Sequence, residues 1–105
     1  MNISDKIEKI VAEQYGCKWE PAMKNIGDFY ISENEAVNVK SSNVAKNNFA
    51  PNMVSAMKVY DYLRSGNLLY FIFVDYKLKD NNEIDIVYIS DLVPINYIIK
   101  MIMRK

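Results

Sequence analysis

Leu68-Leu69-Tyr70-Phe71-Ile72-Phe73-Val74 is the longest uninterrupted apolar run in the chain. Successive residues of a strand point to opposite faces. A run that is apolar at odd and even positions alike therefore describes a strand buried on both sides, the place of a central strand in a sheet covered by helices. Tyr70, Phe71, Phe73 and the nearby Tyr76 read accordingly as core rather than as a platform for stacking single-stranded bases. The run is far shorter than the ~20 apolar residues a membrane helix needs.

On its C-terminal side, Lys77-Leu78-Lys79 and Asp80-Asn81-Asn82 read as a solvated turn, and Ile84-Asp85-Ile86-Val87-Tyr88-Ile89 alternates in part, predicting a neighbouring strand. Pro94 breaks the chain, leaving Ile95 to Met103 as a short helix or a last strand. On the N-terminal side, Ser65-Gly66-Asn67 stops a helix predicted from about Met53 to Arg64. Its apolar stripe is Val54, Met57, Tyr60 or Asp61, and Leu63, and Asn52 is its cap. Ser41 to Asn52 is polar and turn-rich.

Further back, Asp28-Phe29-Tyr30-Ile31 and Ala36-Val37-Asn38-Val39-Lys40 form a predicted hairpin around Ser32-Glu33-Asn34-Glu35. Val37 and Val39 face one way, Asn38 and Lys40 the other. Cys17 to Met23, with Trp19 and Pro21, is expected as a short edge strand, since proline tolerates an edge. The chain opens with a helix from Ile3 to Tyr15, carrying Ile3, Ile7, Ile10, Val11 and Tyr15 at helical spacing, with Asn2 or Ser4 as cap and Gly16 at the end. The order is helix, two or three strands, helix, two strands: one α/β domain over residues 1–105, a mixed sheet flanked by helices.

Composition excludes several classes of function. Thirteen basic and thirteen acidic residues give a net charge of zero, which argues against a nonspecific nucleic-acid coat protein but allows a local basic cleft. With no histidine, Ser-His-Asp and Cys-His hydrolases and histidine-ligated zinc sites are out, and a catalyst here works with carboxylate and lysine. The single cysteine, Cys17, forms no internal disulfide and reads as packing. The polar start lacks the basic-then-apolar order of a signal peptide, so a cytoplasmic location is expected.

The hairpin concentrates the chemistry. Asp28 begins one strand, while Asn38 and Lys40 lie two residues apart on one face of the next. An acid, an amide oxygen and an ammonium are thereby expected to converge on one ion. Mg²⁺ takes hard oxygen ligands, which Asp28, Asn38 and the Val39 peptide carbonyl supply. Lys40 beside it would hold or deprotonate an attacking water, or stabilise charge building on a phosphate.

Gly27-Asp28 followed by Asn38-Val39-Lys40, on a hairpin between two helices, resembles the PD-(D/E)XK nuclease superfamily and, within it, the type II restriction endonucleases. The motif's first acid falls on Asp28, its second position on Asn38 and its lysine on Lys40. Gly27 stands where the family has proline, and Asn38 replaces the second acid, which weakens the cation site. The resemblance implies a restriction-endonuclease-like αβββαβ core. It implies a Mg²⁺-dependent hydrolase cutting double-stranded DNA as a homodimer, or as a subunit of a larger enzyme. It also implies a first-helix glutamate in the metal shell, for which Glu8 and Glu13 are the candidates, Glu8 ahead.

Ser41, Ser42, Asn43, Lys46, Asn47 and Asn48 are expected to run along DNA, with Lys58 on the second helix reaching a phosphate. Asparagine pairs bidentately with adenine, while lysine and hydroxyl groups hold phosphates. The alternative readings are a noncatalytic nucleic-acid or protein interaction module on a degenerate nuclease fold, favoured by Asn38, and a structure-specific nuclease acting on junctions or repair intermediates.

Overall fold

The computed structural model describes residues 2–45 and 56–96. The first helix, α1, covers Ile3–Gln14. Asn2 caps it, accepting the Asp5 N–H on its side-chain oxygen at 2.7 Å, a bond of the kind worth about 1 kcal/mol to a helix. Gly16 ends it at φ +66°, the left-handed conformation a side chain resists.

The expected edge strand over 17–23 does not form. Pro21–Met23 is instead a 3₁₀ turn with Pro21 in its first turn, closed by the Lys24 N–H on the Pro21 carbonyl. Proline has no N–H to give a ladder and its fixed φ suits the start of a helical turn, so the edge position loses to the turn. Trp19 and Cys17 pack beside the core instead.

The hairpin is β1, Phe29–Ser32, and β2, Glu35–Asn43, paired antiparallel with Phe29 opposite Val37. The second helix, α2, covers Ala56–Arg64, and the central strand β3 covers Leu68–Leu78. These are followed by β4, Ile84–Ile89, and a short β5, Val93–Pro94. β2 and β3 pair in parallel from Glu35 opposite Leu68 to Asn43 opposite Tyr76. β4 runs antiparallel to the C-terminal half of β3, and β5 pairs its Tyr70 and Phe71. Ser90 spans the gap between β4 and β5, donating its N–H to the Phe73 carbonyl and accepting the Phe73 N–H on its hydroxyl.

Two predicted boundaries move for one reason. Ser41, Ser42 and Asn43 belong to β2 rather than to a loop, and Lys77 and Leu78 belong to β3 rather than to a turn. Parallel pairing gives residues 41–43 partners at Val74, Asp75 and Tyr76, and antiparallel pairing sets Lys77 opposite Asp85. Tertiary pairing overrides weak local strand preference. The turn itself survives at 79–82, with Asn82 at φ 65°.

The sheet has a core on each face. On one, Ile7, Val11 and Ala12 of α1 pack on Phe29, Val37, Val39, Ile72 and Val74. On the other, Ile26, Ala36, Leu69 and Phe71 form the buried set, with Val59, Tyr62 and Leu63 of α2 packed against it. The strand that is apolar at every position is thus covered on both sides, and the architecture is mixed α/β. The stripe of α2 differs from the predicted one. Leu63 faces the core, but Met57 and Tyr60 are exposed and Val59 and Tyr62 take their place. Val59, Tyr62 and Leu63 satisfy the same three-and-four spacing, so periodicity alone permits either stripe.

The element order is α1-β1-β2-α2-β3-β4-β5, one strand fewer before the second helix than in αβββαβ. Among the described residues no helix is long and apolar enough to cross a membrane. The expected cap at Asn52, the helix start at Met53 and most of the segment from Ile95 to Met103 lie outside the described residues.

Candidate active site

Asp28 stands where the chain enters the sheet. Its N–H donates to the Val37 carbonyl at 2.8 Å, although Phe29 is the residue paired with Val37. Two residues against one is the arrangement of a β-bulge, which re-aims a side chain. The Asp28 carboxylate accordingly turns along the edge of β2 and accepts the Val39 N–H on Oδ2 at 2.7 Å. N–H and C=O of one strand residue point to the same side, so the Val39 carbonyl opens onto the same edge.

Gly27 makes this entry sterically feasible. A Cβ there would stand 2.8 Å from the Ala36 Cβ and 3.0 Å from both the Phe29 oxygen and the Val37 nitrogen. The glycine found where the resembled family carries proline is therefore demanded by the packing of this chain on β2.

Glu8 comes to the same edge from α1. It is buried in a helix face otherwise made of Ile7, Val11 and Ala12, and a buried carboxylate is costly unless paired. Its Oε1 accepts from Lys24 Nζ at 2.8 Å and from Trp19 Nε1 at 3.2 Å. Lys24 Nζ also lies 3.2 Å from Asp5 Oδ1 and 3.8 Å from Asp28 Oδ1. One ammonium thus stands among three carboxylates, two of them largely buried.

The electrostatics follow. Burial pushes the Asp28 carboxyl up to about 6, with the Glu8 charge adding, against the opposing pull of the Val39 N–H, Lys24 and Lys40. Burial works to lower Lys24, but the bonds and charges of Glu8, Asp5 and Asp28 outweigh it and hold the ammonium above the ordinary lysine range. Lys40 is lowered by burial, which Asp28 and Glu8 only partly offset. Lys40 is thus within the field of both acids.

Asn38 goes elsewhere. By strand alternation it shares the α2 face with Ala36, and its Nδ2 donates to the Ile26 carbonyl at 3.3 Å. It is 5% exposed, and its Oδ1 is buried with no hydrogen-bond partner. The structure therefore gathers Asp28 and Glu8 around the Lys24 ammonium, with Lys40 within the field of both acids; by alternation Lys40 shares its face of β2 with Asn38, whose Nδ2 is engaged by Ile26. Glu13, the other helix candidate, is exposed and lines a separate groove with Lys6, Lys9 and the 81–84 turn.

Ser41 and Ser42 lie half-buried on β2. Asn43 closes that strand, its Oδ1 accepting the Ala45 N–H at 3.0 Å. Lys58 is exposed on α2, and Lys46, Asn47 and Asn48 lie outside the described residues. Lys24, Asp5 and Trp19 were not among the residues the sequence reading singled out. The available signal was Lys24 four residues ahead of Asp28 beside the only tryptophan, and neither is distinctive without the fold.

The donor set fits a hard divalent cation. Among the described residues no three acidic or thiol side chains form a preformed cage, so the protein would offer the Glu8 and Asp28 carboxylates and the Val39 carbonyl, with water completing the shell. Mg²⁺ commonly keeps several waters and takes one or two carboxylates. The Lys24 ammonium already marks the position as one that draws positive charge. Neither a scan against protein-family models nor a search of the curated proteins finds a match for the chain.

Proposed function

We propose that this chain is a Mg²⁺-dependent endodeoxyribonuclease of the type II restriction enzyme kind, built on a variant of the PD-(D/E)XK core and working in the cytoplasm. The observation that supports the reading is the pairing of Glu8 and Asp28 around Lys24, with the Asp28 carboxylate on the Val39 N–H of β2 and Lys40 of the same strand within the field of both acids. Asp28 and Glu8 would hold the cation with the Val39 carbonyl. The bound ion would supply an activated water and neutralise charge building on the phosphate.

Lys40 acts on the water or on the phosphate. An ammonium lowered by burial gives up a proton more readily than an exposed one. The Asn38 Nδ2 ties β2 to the Ile26 carbonyl. Double-stranded DNA is the substrate, with Ser41, Ser42 and Asn43 continuing the strand that carries Lys40, Lys58 on α2, and Lys46, Asn47 and Asn48 between them in sequence. Cleavage of both strands calls for two copies about a two-fold axis, hence a homodimer, or a subunit of a larger enzyme.

A second reading is a noncatalytic interaction module on a degenerate nuclease fold. It is favoured by the Asn38 amide, which faces Ile26, and by Lys24, which sits among the carboxylates.

The test is to incubate the purified protein with unmethylated plasmid and mixed-sequence linear DNA, with Mg²⁺ or with chelator, beside Lys40→Ala. Discrete metal-dependent fragments that fall about a hundredfold or more in the variant are expected for loss of a group acting on the reacting phosphate. DNA binding without any cutting by the wild type would overturn the enzymatic reading in favour of the interaction module. Branched substrates cut in preference to linear ones would move it to a structure-specific nuclease.

A further inference from the structure

Glu8 Oε1 is engaged twice, by Lys24 Nζ at 2.8 Å and by Trp19 Nε1 at 3.2 Å. A divalent ion bound at that oxygen cannot share it with an ammonium, because two cations at contact distance repel strongly in a partly buried site. Lys24 has somewhere else to go. Its Nζ already touches Asp5 Oδ1 at 3.2 Å, and side-chain exposure rises outward from 8% at Glu8 and 14% at Asp28 to 25% at Asp5. The three acids therefore form a path from a buried seat to a more open one. The Lys24 backbone stays fixed during such a move, since its N–H closes the Pro21–Met23 turn.

We propose that Lys24 is the built-in counter-ion of the Glu8–Asp28 pair, and that a divalent cation enters by displacing its ammonium outward onto Asp5. Lys24 thereby sets the metal affinity of the site. In the metal-free protein it compensates two buried carboxylates that would otherwise repel, and in the metal-bound protein its departure is part of the cost of binding. This rests on the metal-dependent nuclease reading and deepens it, adding an intramolecular competitor to the site.

Trp19 supplies the readout. It is the only tryptophan in the chain and donates to the same Glu8 oxygen that Lys24 occupies. The whole protein is titrated with Mn²⁺ at pH 8, following Trp19 fluorescence and, independently, the loss of the free Mn²⁺ resonance signal. Lys24→Met is expected to bind Mn²⁺ about tenfold or more tightly, because the competing charge is gone. Lys24→Arg keeps the charge and is expected to stay near wild type, and Glu8→Gln to lose binding and the fluorescence change together. Circular dichroism checks the fold of each variant, and Lys24→Gln, which keeps a donor for Glu8, replaces Lys24→Met if the latter unfolds.

Equal or weaker Mn²⁺ binding by a folded Lys24→Met or Lys24→Gln variant would overturn the displacement. If the wild type still binds Mn²⁺ and cuts DNA in that case, the nuclease reading stands without it. If neither the wild type nor any variant binds Mn²⁺, both fail together.

Discussion

Asp28 is an acid kept at a place that disfavours its charge. Its carboxyl titrates near 6 in the folded chain against 3.8 for an exposed aspartate, chiefly because it is buried. Between those values the folded state holds a proton that the unfolded state has released, so stability falls as pH rises from about 4 through about 6 and then levels off. The two-unit difference corresponds to a loss on the order of 3 kcal/mol. Asp28→Asn keeps an acceptor for the Val39 N–H and removes the titration. In chelator, the variant is expected to match the wild type near pH 4 and to exceed it in stability at pH 7 to 8, as read by urea unfolding along a pH series. Parallel curves for the two proteins would mean that Asp28 ionises without penalty. The same acid was visible in the sequence as the first position of a motif. Its environment was not, because burial and the nearness of Glu8, Lys24 and Lys40 come from segments separated along the chain.

At the scale of elements, the entry into β1 depends on close packing between Gly27 and β2. Two of the three atoms that a Cβ at Gly27 would meet are backbone, and backbone cannot step aside as a side chain does. Gly27→Ala is therefore expected to cost about 1–3 kcal/mol, the usual range for forcing extra volume into a packed interior. It should also shift Asp28 and weaken the Val39 contact. Thermal unfolding measures the first effect, and the amide resonance of Val39 the second. Gly27→Pro, the residue of the resembled family, is expected to do worse. It would add ring atoms and remove the N–H that faces the Tyr30 hydroxyl at 3.4 Å. The helices and the hairpin were legible because apolar spacing and turn residues are local signals. The edge strand expected over 17–23 failed because Pro21 fits two local roles, and the stripe of α2 failed because two stripes satisfy one period.

At the scale of the molecule, each chain carries one candidate edge among the described residues, formed just before β1 begins, where β2 continues past Val37 without a paired strand on that side. Under the proposed function, one such edge would cut one phosphodiester at a time. The proposed homodimer therefore makes a prediction that a monomer does not. Wild-type protein mixed and re-equilibrated with an excess of Lys40→Ala is expected to convert supercoiled plasmid mainly to the nicked circle, because mixed dimers hold one working site. Linear product at the ratio given by the wild type alone would indicate independent monomers or non-exchanging assemblies.

The α/β class, the central place of Leu68–Val74 with a helix on either face, the first helix with its caps, the hairpin and the strand over 84–89 were all legible along the chain. These rest on period and on turn chemistry, which act between neighbours and can be read along a line. Packing in three dimensions set which helix glutamate approaches Asp28, that Asn38 turns to Ile26, and that Lys24 stands among the acids with Trp19 beside it. It also carried β2 through Ser41–Asn43 by parallel pairing with β3. Each of these depends on the separation of residues far apart in the chain. Electrostatic and desolvation energies are set by distance and burial in space, and a sequence pattern specifies a face without specifying what comes to lie against it.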